Sequence, residues 1–403
     1  MSYKRLIGAL VMVVGIMLVS GLVSCNPSEG PSPTPTETPT PGQLTSAGEF
    51  DTIRQAADAY VHSGKPVYIT AQELYDSVMA AGGTTDYQIT WYDPSAYTKA
   101  PLIIDVRALD PEMPDLYLAG HIPGAVHIPW QQITRYVNNL PKDRQIVVVS
   151  SNGGTGAAVT AILNVLGYDA VDLMWGMASW TSDPVVAPGR YNTARDTVFD
   201  WGGSYRAVCP ISEPSETYPL PVVENTDSKD MTAIIAAAAN AYLSDGNKRF
   251  DMTSSELYQA LYGNLSSKTV MTPFDSSFFT GAGNPYSVPF FLDVRDDETY
   301  LNGHLCGTLH VFWKDMFKQE NLAKLPTDRQ ILVTSDTGHE SGVITALLNM
   351  LGYNAINLRW GITSWSLSLP GKDIAPERFN PTRDTMDYDM VSGFAPFVPR
   401  PGQ

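Results

Sequence analysis

Leu140-Pro141-Lys142-Asp143-Arg144-Gln145-Ile146-Val147-Val148-Val149-Ser150 decides the fold, because the chain carries the same passage twice. The second copy reads Leu325-Pro326-Thr327-Asp328-Arg329-Gln330-Ile331-Leu332-Val333-Thr334-Ser335. In each, a polar turn leads into a short apolar run, then a loop, then a helical stretch closing on Leu166-Gly167-Tyr168 or Leu351-Gly352-Tyr353. An apolar strand, a tight loop and a helix is the architecture that builds an anion-binding or nucleophile loop. The first residue of that loop is serine both times, Ser150 and Ser335.

Working outward, the duplication extends over most of the chain. Ala56-Ala57-Asp58-Ala59-Tyr60 matches Ala238-Ala239-Asn240-Ala241-Tyr242. Thr70 with Glu73, and Thr253 with Glu256, each form a capping-box pattern that starts a helix. A variable Gly/Pro-containing segment follows in both copies, and its unequal length marks a surface loop. Pro101-Leu102-Ile103-Ile104-Asp105-Val106-Arg107 then matches Pro289-Phe290-Phe291-Leu292-Asp293-Val294-Arg295. Gly120-His121-Ile122-Pro123-Gly124-Ala125 matches Gly303-His304-Leu305-Cys306-Gly307-Thr308, and each copy closes with a Trp-Gly phrase at Trp175 or Trp360. Short apolar runs alternating with helical stretches predict parallel strands with crossover helices, an α/β fold. The tryptophans read as core around each repeat. The tails at Arg195-Asp196 and Arg383-Asp384 read as docking segments, each latching onto the other domain.

The N-terminus states where such a protein is found. Lys4 and Arg5 precede an apolar run from Leu6 to Val23, followed by Ser24-Cys25. A positive flank, an apolar stretch and small residues make a secretory signal, although the run is also long enough for an uncleaved membrane helix. Leu22-Val23-Ser24-Cys25 is similar to the bacterial lipoprotein processing box, which implies an acylated Cys25 as the mature N-terminus. Either reading puts the rest of the chain outside the cytoplasm, because the basic end stays inside. Residues 26–44 are rich in Pro, Ser and Thr, too poor in apolar side chains to fold, and read as a tether. The expected organisation is therefore a signal at 1–25, the tether at 26–44, a first domain at 45–210 and a second at 222–395.

The formal charge of −16 argues against a nucleic-acid partner, which needs basic patches. If Cys25 carries lipid, Cys209 and Cys306 remain. A disulfide between them and two buried free thiols both stay open, since spacing alone cannot supply the geometry. His121 and His304 lack companion ligands at metal spacing, so no metal site is expected, and no cofactor. Asp105 with Arg107, and Asp293 with Arg295, are expected to pair with neighbouring loops.

The matching phrases, in the same order twice over, resemble the rhodanese family of sulfurtransferases. The resemblance covers about residues 45–200 and 230–390. It implies two rhodanese-like domains, each a small parallel sheet wrapped by helices. It also implies a loop opening on cysteine, which accepts sulfur as a persulfide, with a basic side chain helping to hold the anionic donor. A thiolate suits that work because it is available near neutral pH and strongly nucleophilic.

The corresponding loops here are Ser150-Ser151-Asn152-Gly153-Gly154-Thr155 and Ser335-Asp336-Thr337-Gly338-His339-Glu340. A hydroxyl cannot form a persulfide and attacks only with an adjacent base. Asp336 and Glu340 would repel thiosulfate at close range. Three readings follow. In the first, both loops keep a nest of N–H groups at a helix N-terminus, and a catalytically silent module binds an anion, a peptide or an envelope protein. In the second, Cys306 supplies a displaced thiol for sulfur transfer. In the third, Ser335 acts as a hydrolase nucleophile with His339 as its base, with no third group identified to orient the histidine.

Overall fold

The computed structural model describes residues 46–81, 100–107, 115–192, 196, 216–246, 248–262, 289–305, 307–365, 368–369, 372–373 and 378–393. The signal, the tether, Arg195, and all three cysteines (Cys25, Cys209 and Cys306) lie outside those residues. Among the described residues no helix is long and apolar enough to cross a membrane.

The first repeat runs α1 (Ser46–Val61), β1 (Tyr68–Ile69), α2 (Ala71–Ala80), β2 (Leu102–Asp105), α3 (Leu116–Ala119), β3 (Val126–His127), α4 (Ile133–Tyr136), β4 (Ile146–Val149), α5 (Gly154–Val165), β5 (Ala170–Leu173) and α6 (Met177–Trp180). The second runs α7 (Met231–Ser244), β6 (Asp251–Met252), α8 (Ser254–Tyr262), β7 (Phe290–Asp293), α9 (Asp297–Asn302), β8 (Leu309–His310), α10 (Gln319–Leu322), β9 (Ile331–Thr334), α11 (His339–Met350) and β10 (Ala355–Leu358). A short hairpin, β11 (Ser368–Leu369) with β12 (Lys372–Asp373), and α12 (Pro381–Asp384) follow.

Each repeat holds one five-stranded sheet, ordered β1-β5-β4-β2-β3 and β6-β10-β9-β7-β8, and every pairing within them is parallel. Leu102 to Asp105 align with Ile146 to Val149, and Phe290 to Asp293 with Ile331 to Thr334, so the duplicated apolar runs are central strands. All four residues of β4 and of β9 are buried, as expected where helices cover both faces. The predicted α/β class, with one small parallel sheet and its helices in each repeat, is what the chain forms.

The shared phrases have local physical reasons. Thr70 and Glu73 make a complete capping box at the start of α2. Gly167 and Gly352 stand in the left-handed region at φ +86° and +90° and end α5 and α11. Tyr168 and Tyr353 then donate their N–H groups back to Leu163 and Leu348, a Schellman closure. The Asn164 and Asn349 side chains tie those helix ends to the next strand, each donating 2.8 Å bonds to the carbonyls of Ala170 and Ala355.

One apolar cluster joins α1, α5, α7 and α11 and so runs through both repeats. A second shared cluster contains Trp175, Tyr191, Trp360 and Phe379, with the two tryptophan rings 5.7 Å apart. Trp175 and Trp360 thus pack between the repeats and not as core within one, each from a Trp-Gly turn in which the tryptophan takes a positive φ. The segment after α12 crosses to the first repeat. Met386 and Tyr388 donate backbone bonds to Ser179 and Trp180, Val391 pairs with His121, and the Tyr388 ring stacks on Tyr75. The tail at Asp196 reaches the other way, its carbonyl accepting from the Ser254 hydroxyl.

Candidate functional site

In a parallel sheet, ligand sites form where strand ends meet helix N-termini. Ser150 follows β4 and Ser335 follows β9 at these places. Both are 2% exposed, so neither hydroxyl faces solvent. The Ser150 Oγ accepts from the Gly153 N–H at 3.0 Å, and the Ser335 Oγ accepts from the Gly338 N–H at 3.0 Å. The Gly154 N–H goes to the Asn152 Oδ1 at 3.3 Å. Three of the N–H groups expected to cradle an anion are therefore spent on the chain's own side chains. Both serine carbonyls are also used, accepting from Met177 and Ile362 across the Trp-Gly turns. A Cβ on Gly176 would lie 2.1 Å from the Ser150 carbonyl oxygen, which is why glycine follows the tryptophan.

The remaining loop residues divide by exposure. Ser151, Asn152, Thr155, Asp336 and Glu340 are half-buried, while Gly153, Gly154, Thr337, Gly338 and His339 are buried. Burial pushes the Asp336 carboxyl up to about 7 despite the Arg295 guanidinium 3.6 Å away, with Glu340 adding to the rise. That loop offers an anion a partly protonated acid and no free cation of its own.

Ser335 and His339 do not form the nucleophile–base pair that their spacing suggested. The Ser335 Oγ lies 3.0 Å from the Ser341 Oγ, which donates at 2.6 Å to the Asn357 Oδ1, and the Asn357 amide closes the ring onto the Gly338 carbonyl. His339 turns the other way, into the first repeat. Its Nδ1 is 2.8 Å from the Asp172 Oδ2, and both side chains are fully buried. A third group does orient the histidine, then, but the hydroxyl it would serve is elsewhere. Glycines make the room: a Cβ on Gly153 would meet the His339 ring at 2.1 Å, and one on Gly156 would meet the Asp172 Oδ1 at 1.9 Å. Tyr68 and Trp175 wall the ring at 5.2 and 5.1 Å.

Burial opposes charge on both partners. It holds the Asp172 carboxyl well above the usual carboxylate range and lowers His339 to about 3. The state these shifts favour is a neutral acid donating to Nδ1, with the imidazole proton on Nε2. Neither the Asp172 Oδ1 nor the His339 Nε2 has a hydrogen-bond partner among the described residues.

The strand-end pairs are structural. Arg107 binds Asp105 through Nε and Nη2 and spans to the carbonyls of Gly120 (2.7 Å) and Val186 (3.1 Å). Arg295 binds Asp293 in the same way and reaches the carbonyls of Gly303 (2.5 Å) and Thr299 (3.1 Å). Each carboxylate thus pairs with the arginine of its own phrase, and the arginine carries the link to neighbouring loops. His121 and His304 stack on Tyr117 and Tyr300 at 3.7 and 3.9 Å. Among the described residues no three His, Cys, Asp or Glu side chains stand together to hold a metal.

The family match agrees with this architecture. The model of the rhodanese-like domain family matches residues 92–183 and again 282–368. A protein of Allochromatium vinosum named sulfurtransferase is 31% identical over 96 residues, which are 23% of this chain and 85% of that protein. Among solved structures, a rhodanese-like domain protein from Staphylococcus aureus is 34% identical over 20% of this chain and 72% of its own, with a TM-score of 0.18. A thiosulfate sulfurtransferase from Pseudomonas aeruginosa spans 88% of this chain and 50% of its own, at 15% identity and a TM-score of 0.27.

Proposed function

Because this chain belongs to the rhodanese-like sulfurtransferase family yet carries serine at both loop starts, we propose that it is a catalytically silent member, tethered outside the cytoplasm, that recognises a partner. The observation that carries this reading is the state of Ser150 and Ser335. Both hydroxyls are buried and accept from a glycine N–H of their own loop, and among the described residues neither is hydrogen-bonded to a histidine or a carboxylate. Of the partners considered, a peptide or protein fits better than a small anion. The N–H groups of Gly153, Gly154 and Gly338 are already engaged, and Asp336 and Glu340 flank the second loop.

The test is turnover. Purified mature protein given thiosulfate and cyanide should produce no thiocyanate above the blank, and Cys306→Ser should change nothing. The second reading, sulfur transfer through Cys306, draws on the Allochromatium vinosum relative, whose name states that activity. Thiocyanate production that disappears in Cys306→Ser would establish it and remove the silent reading.

The tether rests on Lys4, Arg5, the apolar run to Val23 and the box ending at Cys25. Several acyl chains on one residue give stable attachment, where one chain alone is marginal. Cells fed labelled palmitate should yield a labelled protein in the membrane fraction. Cys25→Ala should abolish the label; persistence of the label would refute acylation at that residue.

A further inference from the structure

From Leu140 to Trp180 and from Leu325 to Trp365 the two repeats are related by a constant offset of 185 residues, so each position there has a counterpart to judge it by. Three counterparts differ together: Gly154 stands for His339, Gly156 for Ser341, and Asp172 for Asn357. In the first repeat, Gly156 leaves a space that the Asp172 carboxyl fills, and Gly153 leaves a space that the His339 ring of the second repeat fills. In the second repeat, Ser341 and Asn357 satisfy each other, and the place facing them across the interface holds only Gly154. A Cβ on Gly154 would fall 3.1 Å from the Asn357 Nδ2 and 3.3 Å from the Phe250 ring, which leaves no space for an imidazole. The helices themselves meet closely there, since a Cβ on Gly342 would lie 2.7 Å from the Gly154 carbonyl oxygen.

We propose that His339 is a one-way plug, by which the helix face of the first repeat recognises the second repeat and rejects a copy of itself. Two first repeats facing each other would bury two Asp172 carboxyls opposite Gly154, with no imidazole partner for either. Two second repeats would drive His339 against Asn357, whose amide and carbonyl are already used by Gly338 and Ser341. Only the mixed pair gives the His339 ring room and the Asp172 Oδ2 a partner. An unpaired buried carboxyl is costly, and specificity of this kind comes as much from penalised wrong pairs as from the right one.

The experiment uses the full chain and thermal unfolding. His339→Gly strands Asp172 and should lower Tm by roughly 5–10 °C. Adding Asp172→Asn should recover a clear part of that loss, because an amide is neutral without taking up a proton on folding. Adding Gly154→His to His339→Gly moves the histidine to the opposite side, and should lower Tm further instead of restoring it. The proposal is overturned if Asp172→Asn recovers nothing in the His339→Gly background, or if the moved histidine is as good as the native one. Should His339→Gly not fold, Asp172→Asn alone decides. The wild type should show an exchange-protected, strongly downfield proton from the His339–Asp172 bond, and Asp172→Asn should lose it. A wild type without that resonance would also overturn the proposal.

Discussion

Arg295→Met is expected to cost about 3–5 kcal/mol of stability, the range for removing one partner of a buried ion pair. The Asp293 carboxylate is fully buried, and Arg295 is its only cationic partner among the ion pairs described. Methionine keeps an unbranched apolar stem but is shorter and donates nothing, so among the described residues the carboxylate keeps only the Arg295 backbone N–H at 3.1 Å. The carbonyls of Gly303 and Thr299 lose their donor at the same time. The urea midpoint of the full chain measures the loss. Arg107→Met should show a loss of the same order, because Arg107 and Asp105 repeat the geometry in the first domain. Replacing both partners, as in Asp293→Leu with Arg295→Met, should be milder than Arg295→Met alone, since no charge is then left buried. A loss below about 1 kcal/mol for Arg295→Met would show that the pair does not compensate its own burial.

The second large effect is a pH dependence centred on Asp172 and His339. The Asp172 pKa is raised in the fold, so its contribution is full below the unfolded value of 3.8 and is lost as pH rises. His339 is depressed to about 3, so its contribution is full above 6.5 and is lost as pH falls. Between 3.8 and 6.5 the two contributions oppose each other. Above 6.5 the His339 contribution is complete, and the raised Asp172 carboxyl alone makes stability fall as pH rises. Asp172→Asn removes that carboxyl and leaves His339 in place. The stability difference between wild type and Asp172→Asn therefore isolates the Asp172 proton, and should shift toward the variant as pH rises above 4, through 6.5 as well as beyond it. A difference that stays constant to pH 8.5 would mean that the pair takes up no proton on folding.

Much of this molecule is legible in its sequence, for reasons that are local. The run Ile146-Val147-Val148-Val149 is a central strand because only a strand covered on both faces tolerates four consecutive β-branched residues without a polar interruption. Leu-Gly-Tyr marks a helix end because its glycine must enter the left-handed region. Thr70 with Glu73 closes a capping box within four residues. Each of these depends on neighbours close in the chain, and the second copy repeats them.

The site was less legible. Spacing put His339 beside Ser335, since four residues at a helix start allow contact. The Gly338 N–H instead draws the serine hydroxyl back into its own loop, and Ser341 takes its other side. The histidine is left to find Asp172, a partner 167 residues away in sequence. Asp172 gives no local warning, being one polar residue in a four-residue strand otherwise made of Ala, Val and Leu. A signal did exist in the coordinated exchange of Gly154, Gly156 and Asp172 for His339, Ser341 and Asn357. It becomes meaningful only once the two helix faces are known to touch.

The sequence by itself determined the duplicated α/β fold and placed serine at both loop starts, because strand pattern, caps and turns are short-range properties read from adjacent residues. Only the tertiary structure decided what those loops do. Packing α5 against α11 turned them toward each other, buried both hydroxyls and handed the histidine of one repeat to the carboxyl of the other. The physical reason is that a buried acid must find a hydrogen-bond partner wherever close packing brings one, and here the glycines of the first repeat let that partner come from the second.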